Sequence, residues 1–285
     1  MSNDRATEKT ETAKDRLVAP LRQRLRLAHG ICLGFTGVEA GNLGLHVEGS
    51  SDPQDNRRSL ERAMEVPSGS LLFLEQVHGT HVTQADDAPV IPPGLTPRQE
   101  RELAPVADAA VTATGRPLAI MTADCLPIVL TTENASTFGV AHAGRKGLLA
   151  GVLPNVVEAL REMGMREIHA WVGPAICGRC YEVPRQMLEA SAPGHPGIVA
   201  TTRWNTPGLD LPAAAQAQLE GLGVAVHREA LNECTYEDEQ LYSHRRAPGQ
   251  GRIAGLVWSP GTSTGWTAAQ LSSEFQDTEG FRADG

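Results

Sequence analysis

The chain has 285 residues, 41% of them hydrophobic but only 4% aromatic, so a core can form but must be built from Ala, Val, Leu and Ile. The net charge is −9, from 34 acidic and 25 basic side chains; this argues against nonspecific binding to nucleic acid or an anionic membrane, while a local donor cluster could still hold a small anion. No stretch reaches the ~18 apolar residues of a membrane helix, the start MSNDRATEKTETAKDR has no apolar signal segment, and the 5 cysteines define no disulfide framework, so a reduced, soluble, cytoplasmic protein is expected.

Residues 1–16, charged and Thr-rich, read as a disordered tail. GICLGFTG (30–37) reads as a strand. DPQDNRRSLERAMEV (52–66) predicts a helix with Asp52 as N-cap and Pro53 at the first helical position. LLFLEQVHG (71–79) reads as a strand, and the Pro-rich stretch 88–111 as an excursion with a lid or short helix near Arg98–Leu103. DAAVTAT (108–114), PLAIMTA (117–123), PIVLTT (127–132) and TFGVAHAG (137–144) follow as strands. GLLAGVLPNVVEALREMG (147–164) predicts a helix with one apolar stripe, kinked or restarted at Pro154. EIHAWVGPAI (167–176) and GRIAGLVW (251–258) read as strands, and LDLPAAAQAQLEGLG (209–223) as a helix ended by glycine. Residues 259–285 form a second polar tail, which leaves 17–258 as one catalytic domain. Hairpin-like strands mixed with helices predict an α+β sandwich with mixed sheets.

Three predicted strand ends carry borderline or soft metal ligands: His78 in LEQVHG, Cys125 in TADC and His142 in GVAHAG. One thiolate and two imidazoles suit Zn²⁺, and three protein ligands leave a fourth position open, the pattern of a catalytic centre. Such an ion lowers the pKa of its water toward ~7 and polarises a substrate group. The spacing matches no short motif such as HExxH. The alternative is a buried Cys125 acting as a small hydrophobe, with two hydrogen-bonded histidines.

Several blocks follow one another in a family order: NLGLHV with NRRSL, LEQVHGTHV, ADAAVTATGRPLAIMTADCLPIVL, FGVAHAGRKGLLAGV, WVGPAICGRCYEVP and CTYEDEQLYSHRRAPGQGRIAGLVW. Across roughly residues 30–258 the chain resembles the YfiH/YlmD family, also called laccase-domain proteins, polyphenol oxidoreductases or peptidoglycan editing factors. The resemblance implies a sandwich of the α/β/β/α type, shared with cysteine-hydrolase-like bacterial toxins. It implies one catalytic zinc, held through His78, Cys125 and His142. It also implies phosphorolysis of adenosine, inosine or methylthioadenosine to base and sugar 1-phosphate, together with adenosine deamination. The partners would be a nucleoside and phosphate, with a monomer favoured.

Further candidates surround this set. Asp124 reads as an acid, a base or a ligand orienter, or else as a strand-end carboxylate accepting backbone N–H bonds. Arg145 and Lys146, at a strand-to-helix junction, could hold phosphate, or be solvated cations at a helix start. The family usually has Trp-Arg at this pair, a departure that bears on substrate preference and rate. Asn42 and Arg245 are candidate substrate contacts, and Tyr242 and Arg246 could close the pocket. Cys177 and Cys180 form CGRC, read as structural. Two other enzyme classes compete: a cysteine amidase editing cell-wall precursors with Cys125 as nucleophile, and a copper phenol oxidase, disfavoured because the 9 histidines are scattered. A binding module that keeps zinc without turnover is the non-enzymatic alternative.

Overall fold

Apolar side chains alternate along the strands, and the alternation sets two sheets back to back between helices. The computed structural model describes residues 21–27, 30–47, 52–228 and 233–260. The expected N-terminal tail, and all of the C-terminal one beyond its first two residues, lie outside these. In chain order the elements are β1 (Leu21–Arg26), β2 (Cys32–Thr36), α1 (Pro53–Met64), β3 (Val82–Gln84), α2 (Pro97–Leu103), β4 (Ala109–Thr112), β5 (Leu118–Thr122), β6 (Leu126–Thr132) and β7 (Phe138–Ala143). They continue with α3 (Arg145–Ala150), α4 (Val152–Glu162), β8 (Ile168–Val172), α5 (Arg185–Ser191), β9 (Val199–Thr201), β10 (Pro207–Leu209), α6 (Leu211–Gly221), β11 (Ala225–His227) and β12 (Ile253–Trp258).

A four-stranded sheet in the order β1-β2-β12-β5 is antiparallel throughout. A six-stranded sheet, β11-β8-β6-β7-β4-β3, is parallel at its two edge pairs and antiparallel between them. β9 and β10 form a separate antiparallel pair. Leu33 and Phe35 of β2, Leu118 and Ile120 of β5 and Val257 of β12 meet Ala110, Val129, Val140 and Trp171 of the larger sheet, forming the inner core. Ala254, Leu256 and Trp258, on the other face of β12, cluster with Leu60 and Met64 of α1. On the far side of the larger sheet, Leu126, Ile128 and Leu130 meet Val152, Val156 and Leu160 of α4 and Ala214 and Leu219 of α6. Each large aliphatic side chain removed from water contributes ~1.5–3 kcal/mol, so a register slip in either sheet would expose a whole row. The mixed-sheet α+β expectation stands, as a helix–sheet–sheet–helix sandwich.

Local chemistry sets the element ends. The Asp52 side chain accepts from the Gln54 N–H ahead of Pro53, as expected. The excursion holds α2, opened by a capping box between Thr96 and Gln99. The expected single helix over 147–164 is two helices, broken at Gly151, whose φ of 100° is left-handed. Pro154 sits in the first turn of α4, where its missing N–H costs nothing. The expected strand over 71–79 forms only isolated bridges, Leu72 with Leu118 and Glu75 with Val106. A side chain takes the place of a ladder there: Gln76 Nε2 donates to the Met121 carbonyl (2.7 Å), and its Oε1 accepts from the Met121 N–H (2.8 Å).

Candidate metal centre

β6 and β7 pair antiparallel with Leu126 opposite Ala143 and Pro127 opposite His142. Cys125, the residue before β6, therefore meets the end of β7 at the edge where these two central strands end. His78 reaches the same edge from the bridged segment, with a left-handed backbone (φ 60°). One ligand atom from each of His78, Cys125 and His142 lies within 4.8 Å of the others, although 47 residues separate His78 from Cys125. Cys125 Sγ is 3.9 Å from His78 Nε2, and the two imidazoles meet edge-on with centroids 4.7 Å apart. His142 is buried, Cys125 half-buried and His78 exposed, so the group opens on one side.

Asp108, fully buried at the start of β4, organises this edge. Its Oδ1 lies 2.8 Å from His142 Nδ1, which leaves Nε2 as the nitrogen free to ligate. The same carboxylate accepts from the backbone N–H groups of Val77 (3.2 Å), His78 (2.9 Å) and Gly79 (2.6 Å), fixing the turn that carries His78. Burial alone would raise the Asp108 pKa, but the bonds from His142 and the amides hold it below the usual carboxylate range. Burial would likewise push the Cys125 thiol up; the His142 charge and the bonds to His142 and His78 outweigh it and bring the thiol to about 6. His142 would be lowered by burial, but Cys125 and Asp108 raise it to about 9.

A poised thiolate beside two imidazoles is a donor set that fits a borderline-soft divalent ion. Gly144 provides the room. A Cβ there would lie 2.8 Å from His78 Cδ2 and 2.9 Å from Cys125 Sγ, so any other residue would push the ligands apart.

The ligands line a cavity of about 340 Å³, within the about 300–1,000 Å³ typical of small-molecule sites. Its wall is lined by Arg145, Arg245 and Arg252, together with Tyr181, Glu75 and Gln76. Arg245 Nη1 donates to the Glu182 carbonyl (2.9 Å), and its head lies 5.1 Å from the Tyr181 ring centroid.

The structure brings Asp124, Arg145 and Arg245 to the cavity together with the three ligands. Asp124, in left-handed backbone (φ 87°), has both carboxylate oxygens engaged: Oδ1 accepts from Thr235 Oγ1 and Oδ2 from the Arg245 N–H, each at 2.6 Å. It thereby bolts the 235–245 segment to the start of β6. Lys146 is exposed and stands outside the cavity lining. Asn42 is buried away from the lining; its side chain bonds the Gly44 and Val47 carbonyls and the N–H groups of Gly44 and Arg252, organising its own turn. Arg246 donates to the carbonyls of Thr235, Tyr236, Asp238 and Leu241 and bridges a loop rather than closing the pocket. The sequence reading missed Asp108, Arg252 and Tyr181, and took Gly144 for a backbone donor to phosphate rather than for the room it leaves between His78 and Cys125. Asp108 did leave a signal, a carboxylate at the head of the otherwise apolar AAV run.

A helix–sheet–sheet–helix sandwich with a His–Cys–His group opening into an arginine-lined cavity defines a class of protein with a metal-capable group at a small-molecule cavity. The family model described as multi-copper polyphenol oxidoreductase laccase matches residues 33–260, and the chain belongs to this family, in line with the resemblance to YfiH and YlmD proteins. Purine nucleoside phosphorylase SCO2081 of Streptomyces coelicolor is 42% identical over 207 residues, covering 71% of this chain and 81% of that protein. Purine nucleoside phosphorylase ORF3 of Streptomyces griseus is 39% identical over 231 residues, covering 79% and 90% respectively. The crystal structure of YlmD from Geobacillus stearothermophilus matches with a TM-score of 0.70 at 26% identity, over 85% of this chain and 99% of that one. Among the described residues, no helix is long and apolar enough to cross a membrane.

Proposed function

We propose that the chain is a zinc-dependent purine nucleoside phosphorylase that also deaminates adenosine. One observation carries the reading: His78, Cys125 and His142 converge within 4.8 Å at the edge of a cavity walled by Arg145, Arg245 and Arg252. The Streptomyces relatives, named purine nucleoside phosphorylases, support the same reaction class. Multi-copper oxidation needs several copper ions in histidine clusters, whereas of the described histidines only His78 and His142 fall in a metal-capable group.

Zinc held by His78, Cys125 and His142 would supply Lewis acidity at the open side of the group. Arg145 and Arg245 hold the phosphate at the cavity wall by charge-assisted hydrogen bonds. A phosphate oxygen then bonds to the anomeric carbon as the glycosidic C–N bond breaks, giving free purine and sugar 1-phosphate. The Tyr181 ring beside Arg245 offers a flat face for the base. Asp124 positions Thr235 and Arg245 rather than moving a proton, since both its oxygens are engaged. Deamination uses the same cavity, with water adding to the purine and ammonia leaving.

The test is adenosine turnover by the purified protein with and without phosphate. Adenine release is expected only with phosphate, and inosine formation without it. Cys125→Ala is expected to abolish both activities and to lose the ion held with His78 and His142. Full turnover by that variant overturns the reading.

One observation favours a second reading. Cys125, His142 and Asp108 form a thiol–imidazole–carboxylate series, the arrangement of a cysteine amidase that could act on cell-wall precursors. Zinc bound through Cys125, measured as metal loss in Cys125→Ala, would leave no free nucleophile and decides against it.

A further inference from the structure

A second cluster lies outside the cavity just described. Cys177 and Cys180 occupy the CGRC turn after β8, which closes with the Cys180 N–H donating to the Cys177 carbonyl (2.9 Å). Cys234 and Glu237 occupy a matching turn, in which the Glu237 N–H donates to the Cys234 carbonyl (3.1 Å). The two turns are stitched together. Ala175 and Cys234 form a parallel bridge, and the Cys177 N–H points at Cys234 Sγ (3.4 Å). One ligand atom from each of the four side chains lies within 4.8 Å of the rest, and the three cysteines are free.

We propose that Cys177, Cys180, Cys234 and Glu237 bind a second zinc ion, in a closed four-ligand site that is structural rather than catalytic. Two facing turns, each presenting ligands three residues apart, match the geometry of thiolate-rich tetrahedral zinc. A disulfide would use two of the thiols and leave the third unpaired. Charge points the same way. With an ion bound, three thiolates and a carboxylate would carry four negative charges, of which zinc would remove two. Arg203 removes a third, donating from Nη2 to both Cys180 Sγ and Glu237 Oε1. The ion would pin the segment that begins at Cys234, and the next residue, Thr235, holds Asp124 beside Cys125.

The test uses the full chain carrying Cys125→Ala, which silences the first centre and separates this proposal from the proposed function. Zinc is measured by mass spectrometry on protein purified under reducing conditions, with circular dichroism as a folding control. One zinc per chain is expected, lost on adding Cys234→Ser. Cobalt loading is expected to give an intense thiolate-to-cobalt charge-transfer band. Glu237→Gln, an exposed change that leaves all three thiols, is expected to weaken zinc binding at least about tenfold. A Cys125→Ala chain that binds no zinc, or binds it equally after Cys234→Ser, overturns the proposal. So does an intact mass two units low, the mark of a disulfide, or an unchanged zinc affinity in Glu237→Gln.

Discussion

The two ligand clusters are built from different materials. The first takes two imidazoles and one thiol from the ends of central strands and an adjoining turn, with Asp108 locking His142 and the His78 turn from behind. The second takes three thiolates and a carboxylate from two hydrogen-bonded turns, with Arg203 lying across them. As proposed metal sites, three ligands beside an arginine-lined cavity would leave a coordination position for substrate, whereas four facing ligands would leave none. The zinc proposed for both would do chemistry in one place and hold chain in the other, the number of ligands and the access to solvent deciding which.

Breaking the first centre from behind should give the largest effect. Asp108→Asn weakens the orientation of His142 and is expected to cut metal affinity there ~10–100-fold while the thiolate cluster stays loaded. A chelator competition read in both Cys125→Ala and unmodified backgrounds checks this. Gly144→Ala comes next: its Cβ would meet His78 and Cys125 at under 3 Å. About a tenfold loss of affinity at the first centre alone is expected, within the range that disturbed ligand geometry produces. Thr235→Val probes the link between the clusters. It leaves Asp124 Oδ1 without its partner, and urea unfolding is expected to show a loss of about 1–3 kcal/mol, with reduced turnover.

The smallest effect concerns the cavity rim. The hydrogen bond from Arg101 holds the Glu75 carboxyl below the usual glutamate range. A depressed carboxyl contributes stability that is full above the unfolded pKa and is lost as pH falls through the lower folded value. Because the pair is solvent-screened, at most about 1 kcal/mol is expected. Melting temperatures of the unmodified protein and Arg101→Gln should differ slightly at neutral pH and converge in acid, with neither metal stoichiometry changed.

Much of the first centre was legible in the residues. His78 and His142 each end an apolar run beside a small residue, and Asp124-Cys125 interrupts another, so chemistry out of keeping with a core stood out. The α1 cap and the glycine after α6 were legible for the same local reason. Asp108 was harder to assign, because a carboxylate at a strand start does not reveal which backbone amides will curl around it. The second cluster was hidden by distance: 57 residues separate Cys177 from Cys234, and a carboxylate three positions further on has no signature of its own. Strands β3, β9, β10 and β11 span three residues each, too few for a period of two to show. The 71–79 segment misled because its apolar content is that of a strand while a glutamine side chain supplies the bonds.

β12 has a consequence for how the molecule is made. It lies between β2 and β5 although it comes from near the end of the described chain. During synthesis from the N-terminus, those two neighbours must wait with bare hydrogen-bonding edges until the ribosome has released residues 253–258. A chain that stalls just short of that point would expose both edges to other nascent copies, so premature termination there should yield insoluble product rather than a soluble fragment.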